Sequence, residues 1–122
     1  MRRTVAVAAL AFVALVPGAP AAVPPPARTQ VSADEFTLAV SRASFRAGPA
    51  IVELVNYGED DHDLALRRIG GTRTYRIGVV HPGETGALET RLRAGRFVLW
   101  CTLAGHRTSG MQATLRVRPR AL

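Results

Sequence analysis

The chain has 122 residues, carries a formal charge of +7 at neutral pH and is 48% hydrophobic. That length suits one domain of modest stability, and the absence of an internal repeat, a glycine-rich phosphate loop or a long run of like charge excludes a repeat array, a phosphate-cradling loop and a charged tail. All its Lys/Arg-type cations are arginine, and the single cysteine, Cys101, excludes an internal disulfide.

Residues 1–21 have the order of a secretory signal peptide: Met1, Arg2 and Arg3 supply charge, residues 5–16 an apolar middle, and Ala19, Pro20 and Ala21 the small residues where a peptidase cuts. The apolar middle is shorter than the roughly 20 residues that cross a bilayer. The expectation is export to the periplasm or outside the cell, with no membrane span in the mature form. Arg2 and Arg3 leave the general and twin-arginine routes both open, and Ala21, Ala22 and Ala27 are candidate cleavage positions. Residues 22–33, rich in alanine and proline, read as a flexible lead-in, and residues 34–122 as the folded domain.

Seven segments then alternate apolar and polar residues: 35–40, 50–57, 63–69, 74–80, 86–92, 95–101 and 112–118. Turn signals separate them at Gly48-Pro49, Gly58, Gly70-Gly71, Pro82-Gly83 and Ala94-Gly95. The period of two predicts short strands, hence an all-β, antiparallel sandwich or barrel. Arginines such as Arg46, Arg67, Arg96 and Arg116 alternate with apolar residues along these segments and read as a solvated face, not a nucleic-acid footprint.

Two turn-rich segments present donor side chains. In residues 100–111, WCTLAGHRTSGM, the only cysteine and the only methionine beyond Met1 flank His106 at equal distance, and Gly105 and Gly110 allow the segment to fold back. A free thiol in an exported protein calls for a use. A loop closing here brings a thiolate, an imidazole and a thioether together, and His62, in the segment NYGEDDHDL, is the best candidate for a fourth donor. Two histidines and a cysteine with a weak axial methionine are the donor set of a blue copper electron-transfer site. His81 has no donor companion in its own segment, and the acids around His62 read as a solvated turn, with steering of a positively charged partner as the alternative.

The spacing of Cys101, His106 and Met111, with His62 upstream in a sandwich, resembles the cupredoxin family, in particular its small plastocyanin-like blue copper members. The resemblance covers about residues 35–117 and includes the turns at Pro82-Gly83 and Ala94-Gly95. It implies a Greek-key sandwich of seven to eight strands and one copper ion, Cu(I) or Cu(II), held by His62, Cys101, His106 and Met111. It also implies a monomeric, non-enzymatic carrier of single electrons between redox partners such as a cytochrome or a copper oxidase, binding no nucleic acid. Ala104 stands where members often have proline. Asp63 stands where they often have an asparagine that steadies the ligand loop; Asn56 and Trp100 are expected beside it around the ligands. The loop tip of Leu103, Ala104 and Gly105 would let a partner approach the His106 edge. Copper storage or delivery to an oxidase would use the same donors, and a metal-free binding module is the third reading. A Cys–His hydrolase fits less well, because nothing in the sequence orients His106 as a base.

Overall fold

The computed structural model describes residues 3–18 and 23–121. Residues 3–18 have no regular secondary structure, and their large apolar side chains, Leu10 and Phe12 among them, are exposed. Met1, Arg2 and Ala19 to Ala22, which belong to the expected signal segment and its cleavage region, lie outside the described residues.

Nine strands follow: β1 (Ala27–Asp34), β2 (Thr37–Val40), β3 (Ser44–Arg46), β4 (Gly48–Asn56), β5 (His62–Arg68), β6 (Thr74–Val80), β7 (Thr85–Leu92), β8 (Gly95–Trp100) and β9 (Gln112–Arg118). They form a four-stranded sheet, β2-β1-β4-β7, and a five-stranded sheet, β3-β9-β8-β5-β6. No helix occurs among the described residues, and none is therefore long and apolar enough to cross a membrane.

The all-β sandwich expectation holds, with three corrections. The sheets are mixed rather than antiparallel, because β1 pairs with β4 and β3 with β9 in parallel. Two strands escaped the periodicity reading. β1 lies in the stretch expected to be a flexible lead-in, yet Thr29, Val31 and Ala33 point into the core from the middle of a sheet. Its inward residues are small, so the alternation carries little hydrophobic contrast. β3 is only three residues long and turns one large apolar side chain, Phe45, inward. Finally, Glu35 and Phe36, expected at the start of a strand, form the turn between β1 and β2.

Alternation decides what each strand buries. In β8, Phe97 and Leu99 face the core while Arg96, Val98 and Trp100 face outward; in β9, Leu115 and Val117 face in and Arg116 out. Each fully buried side chain of this kind contributes about 1.5–3 kcal/mol relative to exposure. The core they form with Val31, Val52, Leu54 and Leu66 fills the space between the sheets and continues to Cys101 and Met111.

The pairing scheme also gathers the donors at one end. Because β5 and β8 are antiparallel, with Ala65 opposite Trp100, the start of β5 lies beside the end of β8. His62 and Cys101 therefore come to the same end of the sheet. β9 returns antiparallel to β8 with Gln112 opposite Trp100, which brings Met111 back beside Cys101.

Candidate metal centre

The segment between β8 and β9 closes on itself. The Cys101 N–H donates to the Met111 carbonyl at 3.2 Å and the Met111 N–H to the His106 carbonyl at 3.1 Å, while His106 N–H reaches the Leu103 carbonyl and Ser109 N–H the Gly105 carbonyl. Gly105 adopts φ of +77°, a left-handed conformation that residues with a Cβ rarely hold. These bonds fold His106 back over the strand ends with Cys101 and Met111 fully buried beneath it.

His62 is fully buried at the start of β5. Its Nδ1 lies 3.2 Å from Nδ1 of His106, and the Cys101 Sγ lies 3.6 Å from that same atom. One donor atom from each of His62, Cys101 and His106 falls within 4.8 Å of the others. Separations of 3.2 and 3.6 Å suit nitrogen and sulfur donors arranged around one ion at typical bond lengths of about 2.0 and 2.3 Å. The three donors thus fit a single soft or borderline metal ion, and Met111 adds a buried thioether from the same loop. Burial pushes the Cys101 thiol up from its ordinary value, so the metal-free sulfur keeps its proton at neutral pH and metal binding releases it.

A residue that sequence reasoning missed orients His62. Glu35 Oε1 lies 3.0 Å from His62 Nε2 and also accepts the N–H groups of Glu59 at 2.9 Å and Asp60 at 2.7 Å. The Asp60 N–H, then that of Glu59 and the contact to His62, outweigh partial desolvation and lower the Glu35 carboxyl from 4.5 to about 2. An ionised carboxylate only accepts, so His62 must donate from Nε2, which leaves the Nδ1 lone pair facing the other donors. The same carboxylate packs against Gly58, where a Cβ would collide with it. Nothing in the local pattern marks Glu35, which is 27 residues from His62 and which alternation places at the head of a strand.

Asn56, fully buried at the end of β4, braces the segment leading into His62. Its amide donates to the carbonyls of Asp60 at 2.7 Å and Val80 at 2.9 Å, and its Oδ1 accepts the Gly58 N–H at 2.9 Å. Asp63 ties the two halves together: its carboxylate accepts the Thr102 N–H at 2.6 Å and a short bond from the Thr102 hydroxyl. Trp100 lies half-buried on the outer face of its sheet with the Arg107 guanidinium 4.7 Å above its ring. His81, which had no companion in its own segment, sits 2.7 Å from Asp61, and that carboxylate raises its pKa first by hydrogen bonding and then by charge.

Among the four donor residues His106 alone reaches the surface, being half-buried where His62, Cys101 and Met111 are enclosed. Exposed Ala104 and Gly105 and half-buried Leu103 surround it, and Phe36 meets its ring edge-on with centroids 5.1 Å apart. The apolar rim therefore includes a residue from the β1–β2 turn as well as the loop tip.

No family model matches the chain, and no curated protein sequence does. Solved structures do. Auracyanin B superposes with a TM-score of 0.66 at 21% identity, covering 80% of this chain and 94% of its own. Auracyanin A, a "blue" copper protein of the green thermophilic photosynthetic bacterium Chloroflexus aurantiacus, gives 0.61 at 14% identity, covering 77% and 100%. Amicyanin from Paracoccus versutus gives 0.55 at 23% identity, covering 79% and 85%. The chain has the fold of these small proteins, the cupredoxin-like sandwich.

Proposed function

We propose that this chain is an exported, non-enzymatic blue copper protein that carries single electrons between redox partners, with His62, Cys101, His106 and Met111 as the copper ligands. The observation that carries the reading is the convergence of two imidazoles and a thiol, from the start of β5 and the β8–β9 connection, within 4.8 Å of one another, with His62 and Cys101 fully buried. Export rests on the order of charge, apolar residues and small residues in residues 1–21.

Copper, when bound, supplies the one-electron couple between Cu(II) and Cu(I). The chain's own residues account for the rest. Glu35 holds the proton of His62 on Nε2, Asp63 and Thr102 lock the start of β5 to the segment after Cys101, and Asn56 keeps the 57–61 turn folded. A donor set fixed in this way before the ion arrives changes little when an electron is gained or lost, which favours fast transfer. His106, rimmed by Leu103, Ala104, Gly105 and Phe36, offers the edge at which a partner gives or takes the electron.

Addition of Cu(II) to the purified protein tests the assignment. The expected result is an intense blue or green thiolate-to-copper band, lost in Cys101→Ser, and a raised melting temperature; ligand at 100 times its Kd adds about 2.7 kcal/mol of stability. A colourless wild-type protein with unchanged melting would overturn it.

A further inference from the structure

The net positive charge is not spread evenly: the fold sorts it onto one face. On the five-stranded sheet, register and burial turn Arg46, Arg67, Arg76, Arg96, Arg116 and Arg118 to the outer side, all exposed except half-buried Arg118. Asp63 is the one acid on these strands, and its carboxylate is taken up by Thr102. The four-stranded sheet is different. Its strands carry Arg28 and Arg91 against Asp34, Glu53 and Glu89, and Arg28 pairs with Glu53 at 3.4 Å. The remaining acids, Glu35, Glu59, Asp60, Asp61 and Glu84, lie in turns and are occupied in part by local partners.

The arginine face is also built against its own stability. Arg96 stands directly opposite Arg116, and Arg46 opposite Arg118. Like charges in such cross-strand positions repel, and none of these side chains forms an ion pair among the described residues. A solvated surface has no need for aligned like charges. An approaching anionic surface would relieve them.

We infer that the outer face of the five-stranded sheet is a docking surface for a protein partner rich in exposed carboxylates. On this face a shallow depression of about 330 Å³ is lined by Arg67, Arg68, Arg107 and Trp100 together with Val98 and the 69–71 turn. Arg67 and Arg68 spend part of their guanidinium groups on Thr74 and the Ala94 carbonyl respectively, and their remaining N–H groups and Arg107 are left for carboxylates. Trp100 directly precedes Cys101, which puts a partner seated there beside the candidate copper centre. The choice of a protein over another polyanion rests on the electron-carrier reading; the charge sorting itself does not. Steering by such a face speeds encounter and weakens with salt.

Trp100 is the only tryptophan, so its fluorescence reports occupancy of this face in the metal-free full chain. Poly-L-glutamate is the carboxylate probe, with duplex DNA and anionic phospholipid vesicles as comparison arms. The expected result is a saturable, salt-sensitive change with poly-L-glutamate, weakened roughly tenfold in R67E/R116E and about twofold or less in R28E/R91E on the other sheet. The milder R67Q/R116Q, with thermal melting of every variant, separates lost binding from lost folding. Equal weakening in both double variants would reduce the effect to net charge and overturn the docking face. Tighter binding to DNA or vesicles would reassign the face to those surfaces, and no response to poly-L-glutamate would remove it. The Cu(II) colour test, run separately on the same variants, decides the copper reading without touching this one.

Discussion

The two halves of the candidate centre are held in opposite ways. Cys101, His106 and Met111 sit in one eleven-residue segment whose own backbone hydrogen bonds close it, with a positive-φ glycine at the bend. His62 has no such local support. It is oriented by Glu35 from the β1–β2 turn, and the segment leading to it is braced by Asn56 at the end of β4, which bonds back to Asp60, Gly58 and Val80. A loop closed by its own backbone beside a remotely braced histidine teaches that the candidate centre depends on contacts between the two sheets, and that damage to the His62 half can come from residues far away in sequence.

That contrast can be broken most forcefully at Asn56. Asn56→Ala strands the Asp60 and Val80 carbonyls and the Gly58 N–H, and chemical denaturation of the metal-free protein is expected to show a loss of about 3 kcal/mol. Next comes Glu35→Ala, which frees the His62 ring without touching the 101–111 loop. Copper affinity is expected to fall by about 10–100-fold, with Glu35→Gln retaining more, as measured by competition with a chelator. An unchanged affinity in both variants would mean that the two halves are equally self-supporting. Gly105→Ala probes the other half: the strained backbone is expected to cost about 1 kcal/mol or slightly more in denaturation, because open space around the position leaves only the φ penalty.

The smallest effect belongs to the edge of the His62 half. His81 has its pKa raised by Asp61, so the pair stabilises the folded state below the ordinary histidine value of 6.5, and that contribution disappears as pH rises through the higher folded value. An NMR titration should find His81 above 6.5 in the native protein and shifted down in Asp61→Asn. Both groups are largely solvated, so the thermal melting difference should be slight.

Where the pattern was local, it was legible. The alternation in residues 95–101 and 112–118 marked β8 and β9, and the even spacing of Cys101, His106 and Met111 marked the closed loop, because hydrogen bonds within a short segment depend on nearby residues. β1 was not legible, since Thr29, Val31 and Ala33 are too small to contrast with their polar neighbours. Glu35 was hidden for a different reason: placed by alternation at the head of a strand, it lies in a turn, and only there can its carboxylate reach both the 59–60 backbone and His62. The arginines alternated visibly in the sequence, yet their collection on one face depends on which strands become neighbours.

The amino-acid order by itself thus determined the strand period, the donor types and the closed half of the centre, all properties that act over a few residues. Tertiary structure alone decided the carboxylate behind His62, the apolar rim contributed by Phe36 and the sorting of charge between the two sheets. The reason is that hydrogen-bond reach and Coulomb repulsion act through space, over distances that strand order and register set and sequence separation does not.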